Sequence, residues 1–358
     1  MIDLDLDPEL ELLRETARHF GAERLRPRER EFEAARAVDA ATRSAFAEIG
    51  LAAVEWPESL GGAGLGALAR ALVLEELGVA DPGAALALDP LGAAFYALAE
   101  LGEEAALQEM ARPLLERPAA RAVLFWNGEQ RVELRAGHAS GVVPWVPAER
   151  VDLLVVLDAD SAAVIDAGIE AMPLRGAGLR AAGASELQLA RAPVRVWWVD
   201  PRGARRALAR ARHYVASLLV GVMRAAAEFS RDYAMQRVAF GRPIAHHQAL
   251  AFLIADLATA VDATRLLLHE AAAALDAGSD ADALCAAAFA EAAEQAMFVT
   301  PNALQILGGH GFMQDYPVEK WMREARALGL LLGGVDAARE DAGRSVVGGR
   351  EPLALVPS

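Results

Sequence analysis

The chain holds one cysteine, Cys285, in 358 residues, so no internal disulfide can staple it. It holds one lysine, Lys320, among 35 basic residues, a bias of composition rather than a mechanism. No stretch of about 18 residues is free of charge, which excludes an ordinary membrane-spanning helix. Positive charge is scarce overall. The formal net charge of -15 repels phosphate backbones and argues against a nucleic-acid partner. The opening Met1-Ile2-Asp3-Leu4-Asp5 is acidic and lacks the basic-then-apolar order of a secretion leader. With the lone thiol, this places the expected location in the cytoplasm. No cluster of residues has metal-ligand spacing, so no metal is expected. The one local excess of positive charge is Arg202 to Arg212 (RGARRALARAR), at helical spacing. It reads either as a solvated helix face or as a patch attracting an anionic ligand.

What is abundant is apolar: 54% of residues, much of it Ala and Leu at three- and four-residue spacing. From Pro8 to about Arg117 the pattern is helical, as in Leu13-Ala17-Phe20 and Leu65-Leu68-Leu72. The stretch from Trp56 to Gly64 carries too much Gly and Pro for a helix and reads as a loop, with Glu75-Glu76-Leu77 on the helix that follows. Between about Ala119 and Asp200 the texture changes to short apolar runs at 122–126, 151–157 and 194–198, which read as strands. Helical periodicity returns from about Arg205 to Gly343, punctuated by Gly241-Arg242-Pro243 and Gly308-Gly309-His310-Gly311. The expected fold is mainly α with a small β domain: an N-terminal helical domain over 1–118, a middle β domain over 119–202, and a C-terminal helical bundle over 203–358.

Two motifs in the last third carry a resemblance. One is Arg237-Val238-Ala239-Phe240-Gly241-Arg242-Pro243-Ile244 followed by His247-Gln248-Ala249. The other is Gln305-Ile306-Leu307-Gly308-Gly309-His310-Gly311-Phe312, followed by Asp315-Tyr316-Pro317-Val318-Glu319-Lys320 and Arg323-Glu324-Ala325-Arg326. With Pro57-Glu58, Gly61-Gly62 and Glu75-Glu76-Leu77 near the start, the chain resembles the acyl-CoA dehydrogenase family. The resemblance implies a helical–β–helical fold with a β-barrel-like middle domain and a four-helix bundle. It also implies FAD lying across a subunit interface, an acyl-CoA thioester stacked on the flavin, and an electron-transfer partner. It assigns Arg237, Phe240, Gln248, Gln305, Gly308 and Gly309 to FAD, held mainly by the neighbouring subunit. Arg237 is a fork-shaped cation suited to pyrophosphate, and the glycines allow close backbone approach. Asp315, Glu319, Arg323 and Arg326 read as a structural ion-pair network, and His246, His247 and His310 as loop or surface residues. In this light the Arg202–Arg212 run is a candidate for CoA phosphate.

Desaturating a thioester needs a carboxylate that takes the α proton while flavin N5 accepts the β hydrogen as hydride. The position where most of the family carries that Glu is Leu332 here, followed by Gly333-Gly334 in place of Gly-Thr. The alternative position, before an Arg on the first bundle helix, is Ala211 before Arg212. Glu228 lies 17 residues further along that helix, about 25 Å away at roughly 1.5 Å per residue, too far to substitute. Asp336 is nearer. The family's flavin loop, Thr-Glu-Pro followed by Gly-Ser-Asp, has no counterpart after Val123-Leu124-Phe125-Trp126. In the second flavin loop, Pro144 to Ala148, Trp145 is kept but Pro147 replaces a hydroxyl residue. No catalytic residue is assigned. The expected function is a subunit that completes a partner's FAD site, similar to the shorter chains of heterotetrameric actinobacterial acyl-CoA dehydrogenases of steroid side chains. The alternatives are an autonomous dehydrogenase or oxidase using Asp336, and a non-enzymatic CoA-binding scaffold.

Overall fold

The computed structural model describes residues 6–135 and 137–347. Seven helices come first: α1 (Pro8–Phe20), α2 (Glu29–Ala35), α3 (Ala40–Ile49), α4 (Ala67–Ala80), α5 (Pro82–Leu88), α6 (Ala94–Leu101) and α7 (Glu104–Leu115). Eight strands follow: β1 (Ala122–Trp126), β2 (Val132–Arg135), β3 (His138–Val146), β4 (Leu153–Leu157), β5 (Ser161–Ile165), β6 (Ile169–Pro173), β7 (Ser185–Pro193) and β8 (Val196–Val199). The bundle is α8 (Pro201–Gln236), a two-residue hairpin β9 (Val238–Ala239) and β10 (Arg242–Pro243), then α9 (Gln248–Asp276), α10 (Asp282–Leu307), α11 (Val318–Leu328) and α12 (Gly334–Val347). The protein is thus mainly helical with a small β domain between its helical parts. Among the described residues no helix is long and apolar enough to cross a membrane.

Local sequence explains several starts. Asp7-Pro8, Asp81-Pro82 and Asp200-Pro201 each open a helix, the Asp carboxylate accepting a main-chain N–H of the first turn and the Pro placing its missing donor where none is needed. The strands form two four-stranded sheets, ordered β1-β4-β5-β8 and β2-β3-β7-β6. Strand β4 is buried along its whole length. Leu153, Val155 and Leu157 enter the core shared with the helices, while Leu154 and Val156 join Val143, Leu187 and Leu189 between the sheets. The middle of the first sheet is therefore covered on both faces, which is why β4 reads as a continuous apolar run. The runs at 122–126, 151–157 and 194–198 hold strands as expected. The other five strands have too much Gly, Ala, Glu or Pro to announce themselves.

Helices α4 and α8 cross at glycines. A Cβ on Gly78 would come within 2.7 Å of the Leu218 carbonyl oxygen, and one on Gly221 would run into that of Glu75. Beside the crossing, Glu76 receives both arms of Arg224 at 2.6 and 3.0 Å, and Glu75 pairs with Arg265 at 3.1 Å. The Arg202–Arg212 run differs from a solvated face. Arg206 and Arg210 pair with Glu100, Arg210 also with Glu55 at 2.6 Å, and Arg212 is buried. The run sits under the N-terminal helices, so only Arg202 and Arg205 remain exposed.

Lys320 is fully buried. Its ammonium meets Glu324 at 2.7 Å and Asp81 at 3.2 Å, joining α11 to the start of α5, with Glu29 as a third carboxylate nearby. Glu319 and Arg323 pair at 2.8 Å, two of the four residues expected in a structural network, whereas Asp315 and Arg326 are exposed and stand outside it. The network extends to the N-terminal segment through Arg30–Glu319 and Arg323–Glu33, both at 2.6 Å.

Candidate functional site

Helix α8 ends where Arg237 turns extended and donates its N–H to the Tyr233 carbonyl. The hairpin that follows turns on Phe240 (φ 53) and Gly241 (φ 80). Left-handed geometry at both central residues suits a tight hairpin, yet is strained for Phe. Phe240 is 95% exposed, its ring edge-on to His247 at 6.0 Å. Gln248 opens α9 immediately after, its side chain in solvent.

The second motif closes α10. Gln305 is exposed on its last turn, and Gly308 and Gly309 stand in the open, with nothing within 4 Å of where a Cβ would lie. A 2.7 Å hydrogen bond between the Tyr233 hydroxyl and Nδ1 of His310 ties this turn to the end of α8. Tyr316 stacks on His310 with ring centroids 5.3 Å apart. The motifs bearing Arg237, Phe240, Gln248, Gln305, Gly308 and Gly309 thus meet at one end of the bundle, and all six residues are exposed. Val238, Phe252, Phe312 and Met313 surround them with exposed apolar surface. Sequence reasoning missed the Tyr233–His310–Tyr316 stitch, and His310 is a joint rather than a plain loop residue.

A cleft of about 1480 Å³ opens between the β domain and the segment from Leu330 to Arg344. Trp126, Trp145 and Pro147 line one side, Leu332, Gly333 and Asp336 the other. Trp145 lies within β3 rather than in a loop. Carboxylates on the lining outnumber guanidiniums seven to two. Both guanidiniums are already paired, Arg131 with Glu129 and Arg344 with Glu340, each at 2.6 Å. After β1, Asn127 closes a tight turn. Its side chain bonds Val132 through both main-chain groups and reaches Asp158 at 2.9 Å. Burial, with Asp160 adding, raises the Asp158 carboxyl above its usual range.

Leu332 sits on the rim in left-handed conformation (φ 54, ψ 35). Its carbonyl accepts from both Nε and Nη2 of Arg212 at 3.3 Å, while Nη1 of Arg212 pairs with Asp341 at 2.7 Å. Ala211 beside it is fully buried, and Glu228 is exposed far along the same unbroken helix. Asp336 is exposed in the first turn of α12 on the cleft wall. A second cavity of about 740 Å³ lies beyond Trp126, lined by five arginines, Arg202, Arg205, Arg206, Arg212 and Arg344, and by four aspartates, Asp158, Asp280, Asp282 and Asp341. Among the described residues no group of three or more His, Cys, Asp or Glu is placed to hold a metal ion.

Residues 202–347 match the family model for the acyl-CoA dehydrogenase C-terminal domain, and residues 7–117 that for the N-terminal domain. Cyclohex-1-ene-1-carbonyl-CoA dehydrogenase of Syntrophus aciditrophicus is 40% identical over 142 residues, 39% of this chain. The match spans only 34% of that relative's length. Acryloyl-CoA reductase (NADH) of Anaerotignum propionicum is 28% identical, with 93% of each chain aligned. The structure of butyryl-CoA dehydrogenase from Megasphaera elsdenii shares the fold with a TM-score of 0.86 at 22% identity, covering 97% of this chain and 100% of that one. With both helical domains matched by the family's own models, the chain belongs to the acyl-CoA dehydrogenase family.

Proposed function

We propose that this chain is the cofactor-completing subunit of an FAD-dependent acyl-CoA dehydrogenase complex, lacking a catalytic base of its own. The carrying observation is the division between its two surfaces. The residues fit FAD at the end of the bundle, where Arg237, Gln248 and Gln305 present unburied donors beside the bare backbone of Gly308 and Gly309. They fit it poorly in the chain's own cleft, whose carboxylate surplus opposes a pyrophosphate. Bound FAD supplies the hydride acceptor at the partner's site. This chain's residues hold the pyrophosphate and seal the interface with Phe240 and its apolar neighbours.

The partner is then a second subunit of the same family that brings the Glu and the flavin loops. The arrangement is that of the actinobacterial heterotetramers acting on CoA thioesters of steroid side chains, with an electron-transfer partner downstream. The arginine-lined cavity of this chain suits the phosphates of CoA better than the cleft does, since its five arginines outnumber its four aspartates and Arg202 and Arg205 face it unburied. A second reading, an autonomous dehydrogenase, draws on Asp336, which stands on the cleft wall one turn beyond Leu332.

The test is flavin absorbance per chain after gel filtration, for the chain alone and with a same-family partner. A colourless chain that turns yellow only with the partner, with a single flavin per pair, is expected. A yellow homomer would shift the assignment to Asp336.

A further inference from the structure

The two cavities share a wall. Trp126, Asp158, Ala159, Asp341 and Arg344 line both, and Trp126 is the one aromatic among them. Its indole is wedged between two glycines on different elements. A Cβ on Gly128 would lie 2.5 Å from the indole Nε1, and one on Gly333 would lie 3.0 Å from Cδ1 and 3.1 Å from Nε1. The indole therefore fills the space that side chains at 128 and 333 would claim, bridging the end of β1 to the Leu331–Gly333 turn. That turn is held from behind by the guanidinium of Arg212, which grips the Leu332 carbonyl and pairs with Asp341. The wall is anchored on both sides.

We propose that Trp126 is a specificity-determining partition. It confines a CoA-bearing ligand to the arginine-lined cavity and bars the acyl end from the larger cleft. This rests on the reading of the arginine-lined cavity as a CoA site. The larger cleft would otherwise welcome an acyl chain, because Trp145, Trp197, Leu330 and Leu331 give it apolar wall. With the partition in place, an acyl chain attached to CoA gains little contact, so the chain binds CoA and its thioesters alike.

The test is calorimetric titration of the full chain with CoA and with octanoyl-CoA. Wild-type protein is expected to bind the two within about threefold of each other. Trp126→Ala is expected to bind octanoyl-CoA at least tenfold more tightly than the wild type does, with CoA unchanged, because each methylene admitted to an apolar wall adds affinity. Trp126→Phe keeps most of the plug and should behave as wild type. A wild-type preference of tenfold or more for octanoyl-CoA would overturn the partition, and that measurement needs no variant to fold. So would a Trp126→Ala protein that still treats the two ligands alike. Failure of both proteins to bind CoA itself is a different pattern, and it would overturn the CoA reading together with the partition built on it.

Discussion

Leu332 carries no proton-abstracting group, yet it holds a backbone shape that costs a non-glycine residue about 1 kcal/mol or more. The surroundings hold it there. Its side chain is buried, Gly333 and Gly334 on its far side also have positive φ, and Arg212 satisfies its carbonyl. Arg212→Met would strand that carbonyl and remove the 2.7 Å partner of Asp341, leaving it only Arg344 at 3.4 Å. Removing one member of a buried pair costs roughly 3–5 kcal/mol, and the partial exposure of Asp341 favours the low end. The loss should register as a lower denaturation midpoint. Arg237 is the opposite kind of arginine, exposed and tied to its own chain only through its main-chain bonds with Tyr233 and Ile244, its side chain making no described contact. Arg237→Ala should leave the midpoint unchanged and weaken FAD retention in the complex by about 10–100-fold, the worth of a charge-assisted hydrogen bond. Unchanged retention in the assembled complex would remove Arg237 from the cofactor site.

Among the elements, the α4–α8 crossing shows how two residues without side chains position many with them. Gly221→Ala should cost about 1–3 kcal/mol, since the added methyl meets the Glu75 carbonyl where neither helix can yield. Gly343→Ala, inside α12 with nothing within 4 Å of the new methyl, should instead stabilise by up to about 1 kcal/mol. Thermal melts of the two variants distinguish the cases.

The junction of α11 with α5 makes a pH prediction. Burial, reinforced by Asp81, pushes the Glu324 carboxyl up to about 8 against the pull of Lys320. Glu29, Glu33 and Arg26 from the N-terminal segment also face the cluster. Asp81, Glu29 and Glu324 each keep one buried oxygen without a hydrogen-bond partner, which suits a retained proton. The unfolded chain loses that proton near 4.5 and the folded chain near 8. The group's contribution is therefore complete below about pH 4.5 and is lost as pH rises through about 8. Over that window wild-type stability should fall relative to Glu324→Gln by at most about 1.4 kcal/mol per pH unit. Parallel denaturation series between pH 5 and 9 would show it, and parallel curves would refute it.

On the scale of the whole molecule, the helical–β–helical order was legible in the sequence because its helices are long and periodic and β1 and β4 are continuous apolar runs. Strands β2, β3, β6 and β7 were not, since half of each faces solvent and their pairing is long-range. The six candidate cofactor residues were readable as motifs. That the motifs share one end of the bundle depends on Tyr233 and His310, 77 positions apart, which no local pattern connects. The acidity of the cleft was invisible for a similar reason: its carboxylates come from several separated segments.

The solitary lysine also gives the molecule an unusual protease map. A lysine-specific endoproteinase has one target in the sequence, the bond between Lys320 and Trp321, and both side chains are fully buried. Cutting there requires α11 to leave the N-terminal helices, with Lys320 coming away from Asp81 and Trp321 from Arg26, whose guanidinium lies 4.3 Å over the indole. Digestion would yield two pieces, 1–320 and 321–358, at a rate set by how often that junction opens. Their appearance on a gel is a clock for the coming apart of the two helical halves.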